Sequence, residues 1–229
     1  MVNWEPVPHH LAYRATREHL TGLLESDPSL AELPVPSCPG WSLRDVVTHL
    51  ANACLRLQAT GPEPGRGQPG AGLPALLASW ERSAAPVEQL MAEGRQPQSG
   101  VLVMEALTYE LDVRQALGIG PPAEHPGYPI ALDVVVAGFG RAVRERRLPA
   151  LWLGAEGRSW VAGRGRPKGA ITASRYDLFR SLTGRRSHDR IRALTWSGDP
   201  TLWLPLMRWG PFIPEQSPVD PPSAVGLTA

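Results

Sequence analysis

The chain has 229 residues, of which 42% are hydrophobic and 20% charged, and a net charge of +1. That length suits one large domain or two modest ones, since domains usually run to about 100–200 residues. No run of about 18 uncharged apolar residues occurs, which argues against a membrane span, and residues 1–6 show no basic segment leading into an apolar stretch, so no signal peptide is expected.

The two cysteines, Cys38 and Cys54, do not form a CxxC pair and cannot make a disulfide framework. Small packing residues in a reducing compartment, the cytoplasm, are the expectation. Charge is unevenly spread. Between Arg141 and Arg192 stand fourteen basic residues, thirteen Arg and Lys168, against the four acids Glu145, Glu156, Asp177 and Asp189. Such a stretch attracts phosphate and other anions, or simply stays solvated. No zinc finger, RNA-binding signature or basic zipper accompanies it, so nucleic acid is not the expected partner.

In chain order, Leu11, Ala15, Leu20, Leu23 and Leu24 recur at helical spacing and predict a first helix over residues 6–24, with Pro6 and Pro8 at or before its first turn. Residues 35–41, Val-Pro-Ser-Cys-Pro-Gly-Trp, read as a rigid turn. Ser42 then caps a second helix, with Asp45 three residues on in a near capping box, running to about residue 59. Residues 61–72 are rich in Gly and Pro and predict a loop. A third helix follows over 73–91, in which Pro86 marks a kink or break. After a loop over 94–100 comes a fourth helix over 101–117, closed by Gly118. Residues 121–129 connect to a fifth helix over 130–146, with Asp133 near its start and Arg near its end.

Beyond residue 149 the pattern changes. Residues 151–153 and 160–162 are strand candidates joined by a turn over 154–157, and 168–173 offer a third strand. Ser174 caps a helix through residue 182. Residues 191–196 read as a strand or short turn, 202–209 as a short final helix, and 214–229 as an irregular tail. Helices first and strands afterwards predict an α+β chain: an antiparallel four-helix bundle within residues 1–148, and a smaller mixed α/β domain over 149–229.

The fourth helix carries the most informative polar residues. At 100° per residue, Glu105, Tyr109 and Asp112 fall on one face, while Glu110 and Arg114 project the other way, toward solvent or the helical surface. A carboxylate among apolar neighbours must be paired or bind metal. Glu105 is therefore a candidate metal ligand or proton-transfer group, or a structural carboxylate. Asp112 is a candidate for fixing the loop before Trp41 or for bonding an Arg. His49, at the margin of the second helix's apolar stripe, becomes a candidate ligand or base if it meets Glu105. Either His9 or His10, otherwise surface residues, is available to complete a site.

The segment Cys38-Pro39-Gly40-Trp41-Ser42-Leu43-Arg44-Asp45-Val46-Val47-Thr48-His49-Leu50 resembles the CPGW-x-x-x-D-x-x-x-H-L element of mycothiol-dependent maleylpyruvate isomerase-like proteins, in the DinB-like helical bundle superfamily. The stretch Asp112-Val113-Arg114-Gln115-Ala116-Leu117-Gly118 and the pair of segments 177–187 and 196–200 are similar to further elements of that family, and the resemblance spans about residues 10 to 212. It implies a DinB-like bundle, mycothiol as cofactor or co-substrate, and thiol-dependent isomerase or transferase activity on a small electrophilic or unsaturated acid. The family holds a divalent metal, typically zinc, through a histidine on the second helix and a glutamate and histidine at i and i+4 on the fourth. Carried over, these positions are His49 and Glu105 as metal ligands, with Tyr109 in place of the third. A neutral tyrosine is a poor zinc ligand, so an alternative is a metal-free site in which Tyr109 donates a hydrogen bond or proton and Glu105 or His49 acts as base. Arg180, Arg185 and Arg186 are candidates for binding the cofactor or a substrate carboxylate, or equally for surface or interdomain salt bridges. The partners implied are a small-molecule substrate and a low-molecular-weight thiol, with the chain a monomer or small homo-oligomer. A non-catalytic binding or regulatory protein, or a metal-independent biosynthetic enzyme, is the alternative on the same scaffold.

Overall fold

The computed structural model describes residues 4–5, 7–58 and 71–210. The expectations for the first residues and for the tail over 214–229, and most of that for the loop over 61–72, lie outside them. The chain divides into two compact units, Val7–Gly120 and, with Met1–Pro6, Pro121–Ala229.

The first unit is the expected four-helix bundle: α1 (His9–Leu24), α2 (Leu43–Gln58), α3 (Leu73–Ala92) and α4 (Ser99–Ala116). A short 3-10 turn over Pro28–Glu32, started by Asp27 accepting from the Ser29 amide, follows α1. α2 packs on α3, and α1 on α4 and α3. The start of α2 follows its sequence signal. Asp45 accepts from both the amide and the hydroxyl of Ser42 at 2.8 Å, while Ser42 Oγ accepts from the Asp45 amide at 3.4 Å. Pro86 lies inside α3 without ending it. Leu20, Leu43, Leu50, Trp80 and Leu107 are fully buried and form the core. Within that core the Trp80 indole N–H donates to Tyr13 Oη at 3.1 Å, and Tyr13 Oη lies 3.0 Å from Cys54 Sγ. The buried Glu88 is held by Arg14 at 2.7 Å and Arg17 at 3.0 Å.

The second unit opens with α5 (Gly127–Glu145), which begins three residues before the predicted start because Pro129 is tolerated in a helix's first turn. α5 packs on β2 and on α6. The contacts therefore group it with the strands, whereas the sequence pattern placed the boundary near residue 149. The sheet has the order β2-β1-β3-β4. β1 (Leu151–Ala155) is antiparallel to β2 (Arg158–Ala162) and parallel to β3 (Gly169–Ala173), and β4 (Thr195–Ser197) is antiparallel to β3. The hairpin turn is tighter than expected. Gly154 and Ala155 remain in the strand, and only Glu156 and Gly157 turn, with φ of 47° and 90°. Both central residues at positive φ match the right-handed twist of the flanking strands. Asp133 of α5 ties down β2, accepting from Arg158 at 2.8 Å and from the Trp160 indole at 2.8 Å.

α6 (Arg175–Leu182) starts at the predicted cap, where Ser174 Oγ accepts from the Asp177 amide at 3.0 Å. A short helix α7 (His188–Arg192), capped by Ser187, occupies the stretch read as a strand or turn, and the strand begins only at Thr195. The predicted final helix shrinks to a 3-10 turn over Leu204–Leu206, which contains a proline. No helix among the described residues is long and apolar enough to cross a membrane.

The α2 cap gives a direct check. Asp45→Ala is expected to lower stability by about 1 kcal/mol, read as a lower urea midpoint with an unchanged slope.

Candidate active site

All parts of the site lie in the four-helix unit. His49 extends from α2 and Glu105 from α4, and His49 Nε2 lies 2.7 Å from Glu105 Oε1. The two side chains are 26% and 29% exposed, so both are reached by solvent. Tyr109, one turn beyond Glu105 on the same face of α4, is 5% exposed and its ring centre is 5.0 Å from that of His49. Trp41 lies parallel to Tyr109, with 5.9 Å between ring centres and 5° between planes, and 5.2 Å from the His49 ring. An imidazole–carboxylate pair thus sits against an aromatic wall.

The turn that delivers Trp41 is built from short-range bonds. The Val35 amide donates to Trp41 O, the Cys38 amide to Val35 O and the Trp41 amide to Cys38 O, each at 2.9 Å. Gly40 takes φ of 81°, a conformation that favours glycine. α4 holds this turn from beneath. The Cys38 thiol donates to the fully buried Asp112 carboxylate at 3.5 Å, and the Ser37 hydroxyl to Gln115 Oε1 at 3.2 Å. One helix face therefore supplies the carboxylate, the ring behind it and the anchor of the opposing turn, at i, i+4 and i+7.

The structure brings together the three residues named as catalytic from the sequence, Glu105, His49 and Tyr109. It also gives Asp112 the loop-fixing contact weighed for it. Glu110 and Arg114 were both expected toward solvent or the helical surface, and for Glu110 the structure corrects this. Glu110 is fully buried, bonded to Arg114 Nε at 2.8 Å and 3.7 Å from His19 Nδ1, because α1 packs over that side of α4. His9 bonds Ser99 Oγ at 2.7 Å. Sequence reasoning assigned Trp41 to a structural turn and missed its place in the site. The only available signal was its position directly before the α2 cap, eight residues ahead of His49.

Cys54 lies deeper in the bundle. Burial pushes its thiol up, outweighing the lowering by its hydrogen bonds with Tyr13 and Trp80, and burial also holds the Tyr13 phenol well above its ordinary value.

The donors at the site do not fit the three-ligand zinc centre implied by the family resemblance. His49 and Glu105 bond each other, and among the described residues they belong to no group of three convergent His, Cys, Asp or Glu donors. The third position is the phenol of Tyr109, stacked on Trp41.

In the second unit, Arg180, Arg185 and Arg186 are all buried. Arg186 donates to Asp177 at 2.8 Å and Arg185 to the Thr183 carbonyl at 2.9 Å. Arg186, Asp177 and Arg190 line a cavity of about 220 Å³.

Against models of protein families the chain matches none, and no curated protein sequence is significantly similar to it. Its fold has solved counterparts. The crystal structure of the mycothiol-dependent maleylpyruvate isomerase aligns with a TM-score of 0.51 at 16% identity, over 86% of this chain and 96% of that one. A histidine-to-alanine mutant of the isomerase aligns with the same TM-score and coverage at 17% identity. At such identity the likeness establishes the fold.

Two measurements test the geometry. Asp112→Ala removes the acceptor under the turn and is expected to cost about 1–3 kcal/mol, with faster hydrogen exchange at the Val35 amide. Native Cys54 is expected to resist iodoacetamide at pH 8, since the thiolate is the reactive form, and to react fully once the chain is unfolded.

Proposed function

We propose that the chain is a thiol-dependent isomerase or transferase acting on a small electrophilic or unsaturated acid, with mycothiol as the thiol. The observation that carries this reading is the 2.7 Å contact between His49 Nε2 and Glu105 Oε1, open to solvent beside an aromatic wall. The shared fold with a mycothiol-dependent maleylpyruvate isomerase supports it.

In this reading His49 accepts the thiol proton and Glu105 steadies the imidazolium that results. The thiolate sulfur adds to the conjugated C=C bond of the substrate. A C–S bond forms, and the π pair moves onto the neighbouring carbonyl as an enolate. The former double bond now rotates as a single bond. Collapse of the enolate expels the thiolate and leaves the trans alkene, and the thiolate recovers its proton from His49. A transferase differs in the last step, where His49 protonates carbon and the C–S bond is kept. Tyr109 serves as a hydrogen-bond or proton donor beside the pair. Arg180, Arg185 and Arg186 are assigned to the anionic groups of thiol or substrate; for Arg186 alone a cavity beside it supports that role. Cys38 and Cys54 form no disulfide, which supports a reducing, cytoplasmic setting.

The position of Tyr109 favours a metal-free centre. Zinc, where bound, would acidify a thiol, but with Tyr109 in the third position His49 and Glu105 are the only His, Cys, Asp or Glu ligands offered there among the described residues. The same observation sustains a second reading, a non-catalytic binding protein on this scaffold.

Turnover of maleylpyruvate with mycothiol separates the two. His49→Gln and Glu105→Gln are each expected to lower thiol-dependent turnover about a hundredfold or more. Saturable thiol binding without any turnover by the native chain would establish the binding protein instead. Metal content is expected to stay well below one zinc per chain in the native protein. It is expected to rise to about one in Tyr109→His, which completes a His-Glu-His set, and to fall again when His49 or Glu105 is removed. A full equivalent of zinc in the native protein would contradict the metal-free centre.

A further inference from the structure

The basic stretch beginning at Arg141 is left unused by the proposed chemistry, and part of it converges on a second recess. The end of α5 and the segment after the last 3-10 turn enclose a cavity of about 340 Å³ in the sheet-bearing unit. That volume lies within the range of small-molecule sites, roughly 300–1,000 Å³. Its charged lining is Arg141, Arg146, Arg208 and Glu145, and its aromatic wall is Trp209.

Two observations distinguish this recess from a solvated basic face. First, Arg158 is committed to Asp133, Arg175 to Glu124 and Glu156, and Arg186 to Asp177, whereas this recess gathers three arginines around one aromatic ring. The guanidiniums of Arg141, Arg146 and Arg208 have no hydrogen-bond or ion-pair partner among the described residues. Among the described residues, three guanidiniums thus border one recess without a side-chain or carbonyl acceptor, and the acid beside them, Glu145, pairs with none. Like charges gathered this way repel one another, and an anion between them relieves the repulsion. Second, the indole is seated by design of the backbone. A Cβ built on Gly138 would lie 2.5 Å from Trp209 Cζ3, so only glycine at that position of α5 lets the ring pack where it does. Helix interiors disfavour glycine by about 0.5–1 kcal/mol relative to alanine, a cost met here for the placement of one aromatic ring at the edge of the basic recess.

We propose that this recess binds a small organic polyanion with a planar ring, of the nucleotide type, the anionic groups meeting Arg141, Arg146 and Arg208 and the ring meeting Trp209. Guanidiniums suit such a ligand because their planar fork matches phosphate or carboxylate oxygens in pairs, and an indole offers a stacking face. Glu145 sets an upper limit on affinity by repelling the same charges. The site is independent of the His49–Glu105 chemistry, and its occupancy does not depend on that reading being right.

The test is isothermal titration of the full chain with ATP and, separately, with inorganic tripolyphosphate, in magnesium-free buffer. ATP is expected to bind at one site per chain and more tightly than tripolyphosphate. Arg208→Gln is expected to weaken both about tenfold, as loss of one charge-assisted contact does. Glu145→Gln is expected to tighten both. Trp209→Leu is expected to abolish the preference for ATP while leaving tripolyphosphate binding in place. Because Arg208 and Glu145 are exposed, their variants should keep the native melting temperature, which circular dichroism verifies. Absence of saturable binding by either probe, equal affinities for the two, or binding unchanged in both Arg208→Gln and Glu145→Gln would overturn the proposal.

Discussion

The functional account depends on a hydrogen bond between an imidazole on α2 and a carboxylate on α4, at 2.7 Å. Its significance comes from what it does not do for stability. A pair more than a quarter exposed is screened by water and contributes little to folding. The bundle has other ionic contacts for that purpose, notably Glu88 held by Arg14 and Arg17 with the carboxylate buried. The His–Glu pair is instead accessible, held between two helices and set against an aromatic wall, and the proposed chemistry starts from that placement.

Holding that pair still is the work of α4. Glu105, Tyr109 and Asp112 follow one another along one face, and each meets a different part of the N-terminal half. Glu105 meets His49, Tyr109 meets both His49 and Trp41, and Asp112 meets Cys38. The turn over residues 35–41 is thereby fixed at two points, by its own amide bonds and by the buried carboxylate beneath it. Tyr109 is the decisive residue in this arrangement. A second imidazole there would give a metal three ligands, whereas a phenol stacked on an indole gives the His–Glu pair an aromatic neighbour and a hydroxyl.

Much of this was legible from local signals. The Ser42–Asp45 cap, the Ser174 cap and the spacing of 105, 109 and 112 depend on neighbours a few residues apart, and the structure keeps all of them. What was not legible depends on distant partners. Glu110 reads on a helical wheel as facing solvent or the helical surface, yet α1 and Arg114 enclose it. α5 has the periodicity of another bundle helix, and only its packing on β2 and α6 assigns it to the sheet. Trp41 looked like part of a rigid turn because nothing in the sequence shows that the turn folds back over Tyr109. The short α7 was missed because five residues are too few for periodicity to separate helix from strand.

The central claim is tested most directly by long-range proton–nitrogen NMR of the His49 ring, titrated with mycothiol. The account predicts that the Nε2 resonance moves on replacement of Glu105 by Gln, and moves again, saturably, as the thiol binds to the native chain. A His49 ring signal indifferent both to the loss of the Glu105 charge and to saturating thiol would contradict it.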